Sequence, residues 1–515
     1  MKKSASWWAL SGVAAGLVGL AVGYLVSALM NLRLTPVSAV AELVVELAPA
    51  AAANNRDLGT AEKPALVVGI YVLLVLAFAG VGLLARERWW PAVAGFAAVA
   101  LIGALAALSA SESQVTDVIP VLLGFGVMVV ALSLLADRLR AFEAVTDPQR
   151  FAQPYARTRR SFLGTTAAVL GVAALASVVG NVRGGSRRAV EEARRGLAGS
   201  GKGLLVTQPQ VPADVSIGVD GVASWVTPSD RFYLIDTAFS KPAITPSQWS
   251  LRIHGMVDNE LVLTYDDLLQ RELLEGWVTL NCVSNTVGGD LVGNAWWSGV
   301  ALAPILAEAG IQAGADAILQ TSDDGWNCAT PVETVMDGRN AMLALYMNGE
   351  PLPVEHGFPV RTIVPGLYGY VSATKWVVDM EVTRFDAVDA FWTQRGWGEL
   401  GPVKMASRID VPANGATVQE VDGGVVIAGA AWDQHTGIEG VEVAVDGGAW
   451  TAAELAGTPT DDSWTQWRAT VPLERGRHRA RVRAISKDGE VQTGAVADVL
   501  PDGATGWHEV EFTVG

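Results

Sequence analysis

Two short stretches hold the residue types that could do chemistry. The first, Thr279-Leu-Asn-Cys282-Val-Ser-Asn285, carries an apolar run into a Gly/Asn-rich turn and is followed by Trp296-Trp-Ser-Gly. Cys282 is one of only 2 cysteines in the chain. A lone thiolate on a turn cannot build a zinc site, which needs about four ligands at recognisable spacings. It can give a single sulfur to a soft metal whose other ligands come from a cofactor. The alternative is a buried structural thiol, because free cysteine is among the most buried residue types.

The second stretch is His356-Gly-Phe-Pro-Val-Arg361-Thr-Ile-Val-Pro-Gly-Leu-Tyr-Gly-Tyr-Val-Ser-Ala-Thr-Lys375-Trp376. An extended, largely apolar run over 360–364 carries the arginine of a His/Arg pair and leads into a Gly-rich turn that ends in lysine. A phosphate is held by such a set: a fixed cation, a planar guanidinium fork, and backbone N–H groups on a glycine-permitted loop. Either cation alone could equally be a solvated side chain flanking a core strand.

Together these blocks resemble the molybdopterin-binding core of the sulfite oxidase family, over roughly residues 220 to 515. Met347-Asn-Gly-Glu-Pro-Leu-Pro353 adds to the likeness. The resemblance implies a molybdenum–molybdopterin cofactor with Cys282 as metal ligand and catalytic residue. His356, Arg361 and Lys375 would hold the pterin and its phosphate. Tyr233, Asp236, Thr237, Asn285 and the segment Ser372, Ala373, Thr374 would complete the cradle. It further implies oxygen-atom transfer, with the thiolate tuning the metal.

The elements that must position these residues follow from composition. With 515 residues, mean hydropathy +0.30 and 50% hydrophobic residues, the chain is too apolar for one soluble protein. The excess sits in the first third. Four nearly charge-free runs, 7–30, 64–85, 89–110 and about 119–136, reach the ~20 residues of a spanning helix. A fifth, richer in Gly and Ala, covers 162–180. Lys2, Lys3, Arg86, Arg88, Arg138, Arg140, Arg150, Arg157, Arg159 and Arg160 fall on one side of these spans. Arg33, Arg56 and Lys63 fall on the other. The positive-inside rule then puts the N-terminus in the cytoplasm and residues 181–515 outside, making a multi-pass protein of the cytoplasmic membrane.

Thr158-Arg-Arg-Ser-Phe-Leu-Gly164 ahead of the fifth run matches a twin-arginine export signal, ordinary positive-inside arginines being the alternative. A domain that takes up its cofactor in the cytoplasm must cross already folded, which agrees with such a signal. The expected organisation is a four-helix transmembrane domain over 1–157. The signal, fifth helix and an Arg-rich tether follow over 158–204, the tether being either a helix near lipid headgroups or a mobile linker. An α+β molybdopterin domain covers 205–402. A C-terminal β-sandwich of immunoglobulin type covers 403–515, from apolar alternation between Gly/Asp turns.

Val443 to Trp450 and the terminal Trp507-His508 resemble the family's dimerisation domain, so a homodimer is expected. No iron–sulfur cluster is expected from so few cysteines. All 5 histidines lie beyond the spans, so no bis-histidine haem is expected within them. Electrons must then leave through an external partner, a cytochrome or a quinone-linked protein. A net charge of −16 points away from nucleic acid and toward a basic protein partner. Lipid is the remaining expected partner.

Departures from the family concern the substrate. Sulfite oxidases converge arginines on the oxyanion; the matching places here read Ile235 and Val287, and 491–506 holds neither Arg nor Lys. Trp326 stands where the family has a pocket tyrosine. Without those cations a buried sulfite dianion would cost several kcal/mol that nothing offsets. Ile235, Val287, Trp296 and Trp326 therefore predict a pocket for a small substrate other than sulfite, larger and less charged. Two other readings stay open: a sulfoxide-type reductase fed by a membrane electron donor, and a catalytically silent membrane-tethered binding module.

Overall fold

Long runs of Ala, Val, Leu and Gly without charge form the N-terminal helices. The computed structural model describes residues 2–30, 32, 34–47, 62–109, 114–145, 152–183, 185–199, 210–238, 241–420 and 423–515. Arg33, Arg56, Arg150 and Lys202 lie outside the described residues. Two units result, Met1–Val190 with Asp236–Ala243, and Glu191–Ile235 with Ile244–Gly515.

In the first unit, among the described residues, 5 helices are long and apolar enough to cross a membrane: Ala5–Leu29, Ala65–Glu87, Trp89–Ser109, Val115–Glu143 and Ala156–Asn181. Small residues let two of them meet backbone to backbone. A Cβ at Gly82 would stand 2.1 Å from the Trp8 carbonyl oxygen, and one at Gly12 would stand 2.1 Å from that of Phe78. Close approach of this kind is how apolar helices pack where water supplies no driving force. The fourth helix continues past the apolar run to Glu143, whose carboxylate accepts from Trp8 Nε1 at 3.1 Å. A short helix, Pro36–Glu46, forms in what the sequence presents as a loop. Pro36 follows the N-cap Thr35, whose side chain exchanges hydrogen bonds with Ser38.

The second unit begins with the latter part of the tether helix Gly185–Gly199. Arg194 Nε donates to the carbonyls of Pro351 (3.1 Å) and Leu352 (2.8 Å), so this part of the tether is docked rather than loose. Two sheets follow. One runs Leu261–Thr264, Ser250–Gly255, Val377–Thr383, Ala317–Ser322, Asn327–Pro331 in spatial order. The other runs Leu273–Asn281, Val292–Ala301, Met342–Met347, Glu350–Pro351, with Arg361–Ile363 added to Met342–Met347. Every residue of Met342–Met347 is buried, which is why that strand reads as a continuous apolar run. Thr264 caps a short helix through Asp267, as its spacing predicts.

From Ala406 the chain forms two further sheets, one of four strands and one of five. Ile409, Ile427 and Trp467 of one meet Val443, Val482 and Phe512 of the other in a shared core. The apolar stretches 425–428, 441–445, 467–471, 480–485 and 510–514 all fall in strands, each strand longer than its stretch, as in Gly476–Ser486.

Candidate active site

Strand Leu273–Asn281 delivers Cys282 to a turn at its end. Cys282 N–H donates to the Leu291 carbonyl at 3.0 Å, and Asn285 Oδ1 accepts from Leu291 N–H at 3.0 Å, closing the loop that follows. Cys282 Sγ lies 3.0 Å from Ser284 Oγ and is half-buried. The second cysteine, Cys328, is fully buried 3.2 Å from Thr374 Oγ1, and burial pushes its thiol up to about 12. Neither forms a disulfide. Of the two, Cys282 is the more exposed.

Arg361 lies in the strand that pairs with Met342–Met347 and is 4% exposed. Its guanidinium donates to the carbonyls of His356 (3.2 Å), Ala373 (3.3 Å) and Thr362 (3.5 Å), and sits 5.2 Å from the Trp297 ring centroid. No carboxylate pairs with it among the described residues. Burial draws its pKa down to about 10, so it remains a cation at neutral pH in a dry place. His356 packs edge-on to Phe232, and its Nε2 lies 2.9 Å from the Ser229 carbonyl. Gly357, at φ +107°, lets the loop pass close to Arg361 and Lys375; a Cβ there would stand 3.0 Å from Arg361 Cβ. Lys375 bridges back to Arg361 through the backbone.

Tyr233 is half-buried, and burial, then Cys282, push its phenol pKa far up while Arg361 opposes. Tyr233, Cys282 and Arg361 are therefore brought together. Ser372 and Thr374 are tied inward. Ser372 Oγ donates to the Tyr368 carbonyl at 2.9 Å, and Thr374 N–H donates to Thr362 Oγ1 at 2.8 Å. The Ala373 carbonyl between them accepts from Arg361. Asp236 pairs with Lys241, and both, with Thr237, fall in the segment grouped with the first unit.

A small open cleft lies beside the cysteine turn, lined by Asn281, Asn285 and Val287 and by Tyr368, Lys404 and Gln492 among others. Residues on both sides of position 402 thus share one cleft. Ile235, Trp296 and Trp326 are not in its lining. Trp296 stacks edge-on with Trp277 at 5.0 Å, and its Nε1 donates to Glu275 at 3.4 Å. Trp326 closes a hairpin through Asp324. Tyr368, Lys404 and Asn281 were not singled out by sequence reasoning. Lys404 follows the apparent domain boundary, and nothing local marks it as sharing a cleft with the cysteine turn.

A family profile described as "Oxidoreductase molybdopterin binding domain" matches residues 238–392. The Bacillus subtilis protein named "Uncharacterized oxidoreductase YuiH" is 30% identical over 155 residues, which is 30% of this chain and 75% of that protein. The chain belongs to the sulfite oxidase-type molybdopterin oxidoreductase family. It is also 28% identical to the mitochondrial sulfite oxidase of Rattus norvegicus over 343 residues, 56% of this chain and 62% of that one. The chain therefore spans 62% of the length of that relative. The sulfane dehydrogenase SoxCD of Paracoccus pantotrophus matches in structure at 24% identity with a TM-score of 0.46, over 57% of this chain and 82% of that one.

The residues present fit the family's cofactor. A buried guanidinium held only by carbonyls is a charge without its counter-ion, and a phosphate-bearing pterin supplies one.

Proposed function

We propose that this chain is a membrane-anchored molybdenum oxidoreductase whose catalytic region works on the extracytoplasmic side. The observation that carries the reading is the buried, carboxylate-free Arg361 guanidinium grouped with Tyr233 and the half-buried Cys282. When bound, the cofactor supplies oxygen-atom transfer between metal and substrate. Cys282 gives the metal its protein sulfur, and Ser284 beside it steadies that sulfur. Arg361, His356 and Lys375 would hold the pterin and phosphate, with Tyr233 and Asn285 completing the cradle. The segment Ser372, Ala373, Thr374 frames the cradle, its Ala373 carbonyl held on Arg361.

Residues 1–157 anchor the protein, and 158–204 carry a twin-arginine signal with Arg159 and Arg160, a fifth span and a tether. Residues 205–402 form the catalytic domain, and 403–515 an immunoglobulin-type domain that pairs two copies. Loop charges support this topology. Electrons pass to or from an external partner, a cytochrome or quinone-linked protein.

The names of the curated relatives bring sulfite forward as a substrate. The cleft beside Cys282 weighs against its dianion, because Lys404 is the single charged side chain among the residues lining it. A second charge would stay desolvated and unpaired. A less charged oxygen donor or acceptor fits better, in either redox direction.

Molybdenum and pterin per chain, measured on wild type and Cys282→Ser, test the reading. Near-stoichiometric metal with altered metal spectroscopy in the variant is expected. Protein devoid of both, from cells able to make the cofactor, would overturn it.

A further inference from the structure

The cleft is built for a ligand in one more respect. Asn281, 1% exposed at its inner wall, has its amide orientation set by a relay: Gln434 Nε2 donates to the Thr279 carbonyl, and Asn281 Nδ2 donates to Gln434 Oε1 at 3.4 Å. Asn281 Oδ1 is left as a buried acceptor without a partner. Buried polar atoms in folded proteins are seldom orphaned, and an acceptor left so beside a cleft calls for a donor, a water or a substrate O–H or N–H. On the same lining stand Tyr368 and Lys404. The Lys404 backbone N–H donates to Tyr368 Oη at 3.3 Å, which couples the two residues. No ion pair joins the Lys404 ammonium to a carboxylate among the described residues.

We propose that Lys404, with the Tyr368 hydroxyl, is the charge-selecting element of the substrate cleft, and that it fits the protein to substrates bearing one negative charge. One ammonium offsets one charge; a neutral molecule leaves it unused, and a dianion leaves its second charge unpaired in a half-buried place. An ammonium is a point donor, so unlike a guanidinium fork it does not demand a planar or doubly charged oxyanion. This rests on the proposed function, since it assigns the substrate class of that same site.

Saturation-transfer NMR on the full-length, molybdenum-loaded protein reads this without turnover. The probes are the methyl protons of methanesulfonate (one charge) and dimethyl sulfone (none), with sulfate (two) as competitor at fixed ionic strength. Methanesulfonate should bind at least tenfold more tightly than dimethyl sulfone, and sulfate no more tightly than methanesulfonate. Lys404→Gln should erase the difference between the methyl probes, and Lys404→Arg should retain it. Equal binding of those probes to wild type, tighter binding of sulfate, or an unchanged preference in Lys404→Gln would each overturn the proposal. Molybdenum content of the same samples separates this failure from failure of the functional reading. Thermal midpoints identify a misfolded Gln variant, in which case Lys404→Arg decides: loss of preference there, in a folded protein, also overturns it.

Discussion

The imidazole of His508 occupies the space that a side chain at Gly288 would need. A Cβ at Gly288 would stand 2.1 Å from His508 Cδ2, and Gly288 itself is at φ +77°. His508 Nδ1 in turn accepts from Ile409 N–H at 3.0 Å, and Arg408 Nη1 donates to the Gly289 carbonyl at 2.9 Å. The loop behind the cysteine turn is thus clamped by residues contributed more than a hundred positions later.

Gly288→Ala should destabilise the protein by about 2 to 4 kcal/mol, combining left-handed backbone strain of about 1 with overpacking of about 1 to 3. In a His508→Ala background the overpacking part should vanish. A double-mutant cycle by thermal or denaturant unfolding measures this; additive effects would disprove the clamp.

Arg361→Met should separate stability from cofactor retention. Without cofactor, the buried cation is uncompensated, so the cofactor-free variant should melt no lower than cofactor-free wild type. Retained molybdenum and pterin should fall at least tenfold. A variant that keeps its cofactor would remove Arg361 from the site.

The two cysteines should differ in alkylation. Cys328, its thiol pushed up to about 12 by burial, should resist iodoacetamide at pH 8 in the folded protein. Cys282, half-buried on its turn, should react in cofactor-free protein and be protected when cofactor is bound. Peptide mass spectrometry reads both sites.

Asp433 provides the pH dependence. Burial, then Asp488 and Glu490, raise its carboxyl to about 6. The folded state holds this proton more tightly than the unfolded chain, so the stability contribution is full below the unfolded value near 4 and is lost as pH rises through 6. The group is partly solvated, so the effect is on the order of 1 kcal/mol. Asp433→Asn should raise the thermal midpoint at pH 8 and leave it nearly unchanged at pH 4. An equal shift at both would contradict the assignment.

Much of this was legible in the chain. The long apolar runs led to the helices because length and lack of charge are properties of contiguous sequence. The Cys282 turn and the His356–Arg361 block were recognisable because backbone geometry and ligand chemistry are local there. Pro36–Glu46 escaped notice because its signal is a capping box with no long apolar run behind it. Trp296 was expected at a substrate pocket on type alone, whereas strand alternation turns it toward Trp277 and Trp297 toward Arg361.

By itself the sequence determined which side chains are available: one thiolate on a turn, an Arg/Lys pair around a glycine loop, five apolar stretches, and no arginine at the places its relatives use. Tertiary structure alone decided which of them meet. Lys404, Gln492 and His508 reach the cysteine turn because the C-terminal sheets pack against it, and Arg361 becomes a buried cation because strands close over it. Convergence of residues far apart in the chain depends on long-range packing, and no local pattern in the sequence records it.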